Sequence, residues 1–398
     1  MAGSTVQKTL GLYVHVPFCR SRCEYCDFYS LGGGDNAEKM DRYLQAVITH
    51  IREAGQRVGN CRVDTVYFGG GTPSYFGAGN LIRILNEIYR RFDVDGHAEI
   101  TLEANPDSVT RHGLSRLLRA GFNRISIGVQ SDNDAQLKAL GRPHTFAQAT
   151  AAVDAARRAG FSNVSIDLIY GLPGQTGAQW AGTLRSAMDL HPEHISCYGL
   201  KVEPGTPLYS YQDSVDLPDD DAQADMYLYT AATLEEFGYH QYEISNFAKE
   251  GCESRHNLKY WLGQDYLGFG PSAASCVDNR RFTWVSDLDA WCDGVLNGSS
   301  FTAESESLSL RDRAGEYLML RLRTAEGING REYTRTFRMS FTPLEALLQT
   351  YAARGLALQK EDGSWRLTPE GFLLSNQIIG ALLEAQERLE SIRQQPAH

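Results

Sequence analysis

Cys19, Cys23 and Cys26 stand together in the run CRSRCEYC. Three soft thiolates at this spacing can hold three irons of a cubane iron–sulfur cluster. An electron-transfer ferredoxin saturates such a cluster with four cysteines, so a set of three leaves one iron open to another ligand. Zinc is the alternative, with His15 completing the set. Zinc favours closed four-ligand sites built from paired knuckles, and no second Cys or His pair lies nearby. Cys61, Cys197, Cys252, Cys276 and Cys292 are scattered and read as packing residues of a reduced protein.

The elements that must position these thiols read as alternating strand and helix. Candidate strands are Leu12–Phe18, Thr65–Gly70, Glu99–Asn105, Arg124–Gln130, Val164–Ile169 and Ile195–Val202. Helical periods over Ala37–Arg57, Leu81–Arg91, Arg111–Ala120, Thr145–Ala159 and Gly177–Asp189 fill most of the intervals. Such alternation implies parallel strands with right-handed crossovers. Six units predict an α/β fold of the incomplete (β/α)6, TIM-like barrel type. Polar residues follow or close the strands: the cysteine run, then Gly69-Gly70-Gly71-Thr72-Pro73, Glu103 and Asn105, Gln130, and Asp167. Reacting groups in barrels gather at the carboxyl ends of strands, which places these residues on one rim.

The small, polar stretch Gly298–Ser307 reads as a linker. It divides a barrel with its extension, residues 1–298, from a smaller domain over 307–398. The latter carries helical runs Leu310–Leu322 and Pro343–Arg354, a hairpin of Ala357–Gln359 and Trp365–Leu367 around Asp362-Gly363, and a final helix from Pro369. This order predicts a winged-helix-like C-terminal domain, without a basic recognition helix.

The chain has 398 residues, 42% of them apolar, and a net charge of −11. That balance argues against a general nucleic-acid surface, which needs clustered Lys and Arg. No apolar run approaches the roughly 20 residues of a membrane span, and the first residues lack a signal-peptide apolar core. A cytoplasmic protein is expected.

The run Tyr13–Phe28, YVHVPFCRSRCEYCDF, resembles the radical S-adenosylmethionine family and, within it, the oxygen-independent coproporphyrinogen III oxidase group. The similarity continues through Phe68–Pro73, Glu103–Pro106, Ser126–Ser131 and Asp167–Pro173, and covers nearly the whole chain. It implies that the open iron of a [4Fe–4S] cluster takes the amino and carboxylate end of S-adenosylmethionine. It also implies roles around that ligand. Gly70, Gly71 and Thr72 would let backbone approach the methionine end, and Glu103 would accept a hydrogen bond from it. Tyr13 and Tyr25 would line the cluster and adenine, and Ala274 would abut the adenosyl part. Gln130, Arg142 and Asp167 match positions that contact a second S-adenosylmethionine in the oxidase. From the residues alone, Arg142 also suits a solvated loop and Gln130 a hydrogen bond inside the barrel.

Two features depart from the oxidase group. That group has a further cysteine where this chain has Phe28, and it carries a longer segment before the Tyr13 position. In addition, His256-Asn257-Leu258-Lys259-Tyr260-Trp261 is similar to the HNxxYW signature of a heme-chaperone branch. The resemblance implies that heme is bound there, with His256 as axial ligand and Tyr260 and Trp261 against the porphyrin. Those residues equally suit a packed aromatic loop with a hydrogen-bonded histidine. The expected partners are heme and a heme-accepting protein, with a homodimer as an open alternative. A radical enzyme acting on a tetrapyrrole is the rival expectation.

Overall fold

The computed structural model describes residues 8–33, 36–59 and 61–394. Residues 1–7, read above for a leader, lie outside the described residues. Six strands run parallel, each beside the next: β1 (Thr9–Val16), β2 (Arg62–Gly70), β3 (Asp93–Ala104), β4 (Arg124–Gln130), β5 (Asn163–Tyr170) and β6 (His194–Gly199). Every residue of β4 is buried, as expected of a parallel sheet covered on both faces. The crossover helices start and stop on local signals. Phe146–Ala159 follows a capping box of Thr145 and Gln148 and ends at Gly160, whose φ is +107°. Gly177–Met188 follows a second capping box, of Thr176 and Gln179.

The sheet extends beyond this repeat on both sides. β7 (His240–Glu243) and β8 (Asn246–Ala248) add antiparallel strands next to β6. β9 (Tyr266–Phe269) pairs parallel to β1, and β10 (Ala274–Val277), β11 (Arg280–Trp284) and β12 (Thr302–Ser307) follow antiparallel. Among the described residues the twelve strands form one sheet whose end strands, β12 and β7, do not pair, so the barrel is open. The linker reading of Gly298–Ser307 is corrected here. Thr302–Ser307 is a strand paired with β11, exposed at all six positions. With neither face buried it carries no apolar alternation; ladder hydrogen bonds hold it, with Arg280 Nε donating to Ser305 Oγ at 3.0 Å and Arg281 to Glu306 Oε1 at 3.1 Å.

C-terminal to the sheet come helices Leu310–Arg321, Gly330–Phe337 and Thr342–Ala352. A hairpin of β13 (Ala357–Gln359) and β14 (Trp365–Leu367) follows, then helices Pro369–Leu373 and Ser375–Gln394. This is the winged-helix-like order expected, with two additions. The helix Gly330–Phe337 had no sequence counterpart, and the last helical run is interrupted at Leu374. These elements enclose their own apolar cluster, which Tyr227 of the helix Asp220–Glu236 joins. No helix among the described residues is long and apolar enough to cross a membrane.

Candidate functional site

The carboxyl ends of all six parallel strands meet one cavity of about 370 Å³. Its wall takes Cys19, Cys23, Tyr25 and Cys26 from the loop after β1, and Gly70, Gly71 and Thr72 from the end of β2. Glu103 and Asn105 follow from β3, Gln130 from β4, Asp167 and Ile169 from β5, and Tyr198 from β6. Arg142 reaches in from the loop ahead of the Phe146–Ala159 helix. Strands at opposite ends of the parallel run can share a cavity only if the sheet curls.

The cysteine loop is pinned by its surroundings. Phe18–Cys19 pairs with Leu31–Gly32, and Glu24 N donates to Leu140 O at 3.1 Å. Thr72 Oγ1 donates to Cys19 Sγ at 3.3 Å and accepts from Asn105 Nδ2 at 3.1 Å. Burial raises the Cys23 and Cys26 thiols above their ordinary range. Ligation to iron would hold them as thiolates instead. Among the described residues no three His, Cys, Asp or Glu side chains close on a single ion. A cubane asks for something else, one thiolate on each of three irons.

The glycines are required by the fold itself. A Cβ on Gly70, whose φ is +104°, would lie 2.5 Å from the His15 ring. One on Gly71 would lie 2.8 Å from Val16 O. The turn must therefore be glycine to pass its own chain, before any ligand arrives. Gly70 N then donates to Glu103 Oε2 at 3.2 Å, while Tyr67 OH donates to Oε1 at 2.6 Å. Burial pushes the Glu103 carboxyl up to about 7, against these two donors. Burial likewise raises Asp167, which accepts from Ser126 Oγ at 3.0 Å.

Arg142 is not a solvated loop charge. It donates to Asn105 Oδ1 at 2.9 Å and to Tyr25 OH, and its guanidinium sits 5.6 Å from the Tyr25 ring centroid. Burial opposes its charge, but Tyr25 and the cysteines hold its pKa above the ordinary value. Gln130 ends β4 at a bulge with φ +67°, a left-handed backbone uncommon outside glycine. Gln130 Oε1 and Arg142 Nε are buried yet have no protein partner. Orphaned polar atoms on a cavity wall are what a polar, charged ligand would satisfy. The donor set therefore fits a cluster and S-adenosylmethionine.

Three sets of candidate residues stand apart from this cavity wall. Tyr13 is on β1 but does not line the cavity; its OH meets His15 Nδ1 at 3.0 Å, under the Tyr67 ring. Ala274 lies on β10 opposite Thr283, also off the wall. The HNxxYW segment is the helix Arg255–Trp261, and His256 is 0% exposed within it. Its Nδ1 is 2.8 Å from Thr65 Oγ1 and its Nε2 2.8 Å from Tyr260 OH, so neither nitrogen is free for iron. Burial drives its pKa down to about 3, which keeps the ring neutral. Glu99 caps the helix through Arg255 N and His256 N, and Lys259 pairs with Asp64 at 2.8 Å. Trp261 is half-buried at the end of this helix. The packed, hydrogen-bonded alternative is the one found.

Residues 13–187 match the radical SAM superfamily, and residues 308–374 match the HemN C-terminal domain. The chain is 33% identical to the heme chaperone HemW of Bacillus subtilis, covering 93% of this chain and 98% of that one. It is 34% identical to HemW of Escherichia coli, covering 94% and 98%. The chain belongs to the HemW family. Its fold is also that of the coproporphyrinogen III oxidase HemN from Escherichia coli, described as a radical SAM enzyme, with a TM-score of 0.82 and 25% identity. That match covers 94% of this chain and 90% of HemN. HemW relatives therefore match from end to end, and the oxidase shares the architecture.

Sequence reasoning missed Tyr67 and gave Asn105 no role. Asn105 ties Thr72 to Arg142, linking the cluster loop to the far wall. The Asn-Pro pair at the strand end was the available signal, since it marks where an extended chain must turn.

Proposed function

We propose that this protein is a cytoplasmic heme chaperone, which binds heme, a [4Fe–4S] cluster and S-adenosylmethionine and delivers heme to an acceptor protein. The observation that carries the reading is end-to-end identity of about a third with several heme chaperones. Phe28, standing where the oxidase group has a further cysteine, supports it against the oxidase alternative.

In this reading Cys19, Cys23 and Cys26 hold the cluster, and Thr72 steadies the first thiolate by its hydrogen bond. When bound and reduced, such a cluster would supply the one-electron chemistry for cleaving S-adenosylmethionine. Glu103, fixed by Tyr67 and Gly70, holds cationic character of that ligand, while Gln130 and Arg142 offer it their unpaired atoms. The barrel with its extension, 1–298, would carry these sites, and 307–398 would form the second, winged-helix-like domain.

Anaerobically reconstituted protein should bind hemin and pass it to an apo-hemoprotein. Incubated with S-adenosylmethionine and coproporphyrinogen III under reduction, it should form no protoporphyrinogen. Protoporphyrinogen at catalytic yield would replace the chaperone reading with the oxidase one.

A further inference from the structure

With His256 sealed in the interior, heme needs another seat. A heme presents a flat apolar macrocycle and two carboxylates, so its seat needs exposed apolar rings beside unpaired cations. The rim of the cavity has both. Phe28 is 63% exposed and Tyr198 41% exposed, and both line the same cavity. Phe28 contributes little to any core, and no large apolar side chain among the described residues is more exposed. Arg22 and Lys201, also exposed, line that cavity too. Arg22 makes one weak contact, to Cys26 O at 3.4 Å, and neither cation meets a carboxylate among the described residues. The neighbouring Arg20, by contrast, is paired with Asp107 at 3.2 Å.

Their positions in the fold bring these four together. Arg22 and Phe28 belong to the loop after β1, and Tyr198 and Lys201 to the end of β6 and just beyond. β1 and β6 are the first and last of the six repeat strands, so the two segments reach the cavity from opposite ends of that repeat. They are also tied to each other. Leu208 N donates to Glu24 O at 2.8 Å, and Tyr211 OH donates to Glu24 Oε2 at 3.1 Å. Glu103, Gln130, Arg142 and Asp167 lie on the strand ends and the facing loop of the same cavity, which leaves the four rim residues outside that set.

We propose that heme sits on this rim, its macrocycle against Phe28 and Tyr198 and its carboxylates on Arg22 and Lys201. The inference rests on the heme-chaperone reading and gives that function a site. It sets heme at the mouth of the cavity that holds the cluster and S-adenosylmethionine, in reach of solvent and of an acceptor.

The test is a Soret titration of anaerobically reconstituted protein with hemin and with hemin dimethyl ester, whose carboxylates are masked. The Arg22→Ala/Lys201→Ala pair should bind hemin roughly tenfold more weakly than the unaltered protein, as expected for two partly exposed charge contacts. Both proteins should bind the ester alike. Phe28→Ala should weaken hemin and ester by the same factor. All four residues are surface groups, and an unchanged brown chromophore will confirm folding. Unaltered affinity for hemin in these variants, with normal binding by the parent, overturns the rim site and leaves the chaperone reading standing. A parent protein that binds no hemin overturns the chaperone reading itself.

Discussion

Replacing His256 by alanine separates an interior histidine from a heme ligand. The ring is fully buried and bridges two hydroxyls, Thr65 Oγ1 and Tyr260 OH, at 2.8 Å each. Alanine leaves both hydroxyls facing a dry hole. Each buried polar group left unsatisfied costs about 1–3 kcal/mol, and emptying a ring-sized volume adds a cavity cost of similar order. The sum is about 3–9 kcal/mol, a large share of the ~5–15 kcal/mol typical of a folded protein. The His256 ring also stacks on Tyr67 at 5.1 Å, and Tyr67 in turn orients Glu103. Urea unfolding followed by tryptophan fluorescence should show the loss as a lower midpoint. S-adenosylmethionine affinity should fall with it, while hemin affinity, measured below the unfolding range, stays within about twofold of the parent. A ligand on an accessible loop would behave oppositely, with stability changed by less than about 0.5 kcal/mol and the Soret band shifted. That opposite pattern would refute the interior assignment.

Other outcomes follow from the same geometry. Replacing Cys19, Cys23 and Cys26 together by alanine should remove the about four irons per chain expected of a cubane; iron retained at the parental level would exclude this loop as the cluster's seat. Glu103→Gln should weaken S-adenosylmethionine binding by about tenfold or more, the usual worth of a charge-assisted hydrogen bond. Because burial holds the Glu103 carboxyl near 7, parental affinity should climb as pH rises through that value, and calorimetry on the variant should give a flat profile. Acid stability provides a fourth case. His15, His50, His194 and His256 are all held below the ordinary imidazole value by burial. Unfolded histidines take up protons below about pH 6.5, whereas these cannot, so stability is full above that pH and falls as pH drops. His256 alone should account for about 2 kcal/mol between pH 6.5 and 5, at about 1.4 kcal/mol per pH unit. A stability curve level over that interval would contradict the buried, neutral assignment.

The parallel core was legible because its two periods differ. Arg124–Gln130 has the bounds read from sequence, and so has the helix Ala37–Arg57. β-branched runs and helical spacing there agree with the tertiary structure, so nothing overrides them. The later strands were illegible for the opposite reason. β12 is exposed on both faces, and β7 to β10 are three or four residues long, too short for a period to show. The same contrast runs through the site. Cysteines at short spacing announce themselves whatever surrounds them, and so does a glycine triplet. Tyr67 looks like one more aromatic in a buried strand until its hydroxyl is seen to meet Glu103.

The HNxxYW segment shows what such a signature can and cannot say. Its residue types are those of a heme site, and in this chain they are equally those of a helix closing the barrel interior. Glu99 takes the helix's first amides, Lys259 reaches Asp64, and His256 links β2 to Tyr260. Three of the six residues, His256, Lys259 and Tyr260, are then accounted for by these side-chain bonds. Spacing alone could not separate the two meanings, because a ligand and a buried bridging histidine ask for the same imidazole. What separates them is whether a ring nitrogen is left over, and here both are engaged. The segment's influence on the cavity must then pass through packing, from His256 to Tyr67 to Glu103. A change at the barrel's sealed interior would be felt at the cofactor cavity while hemin binding at the rim persists.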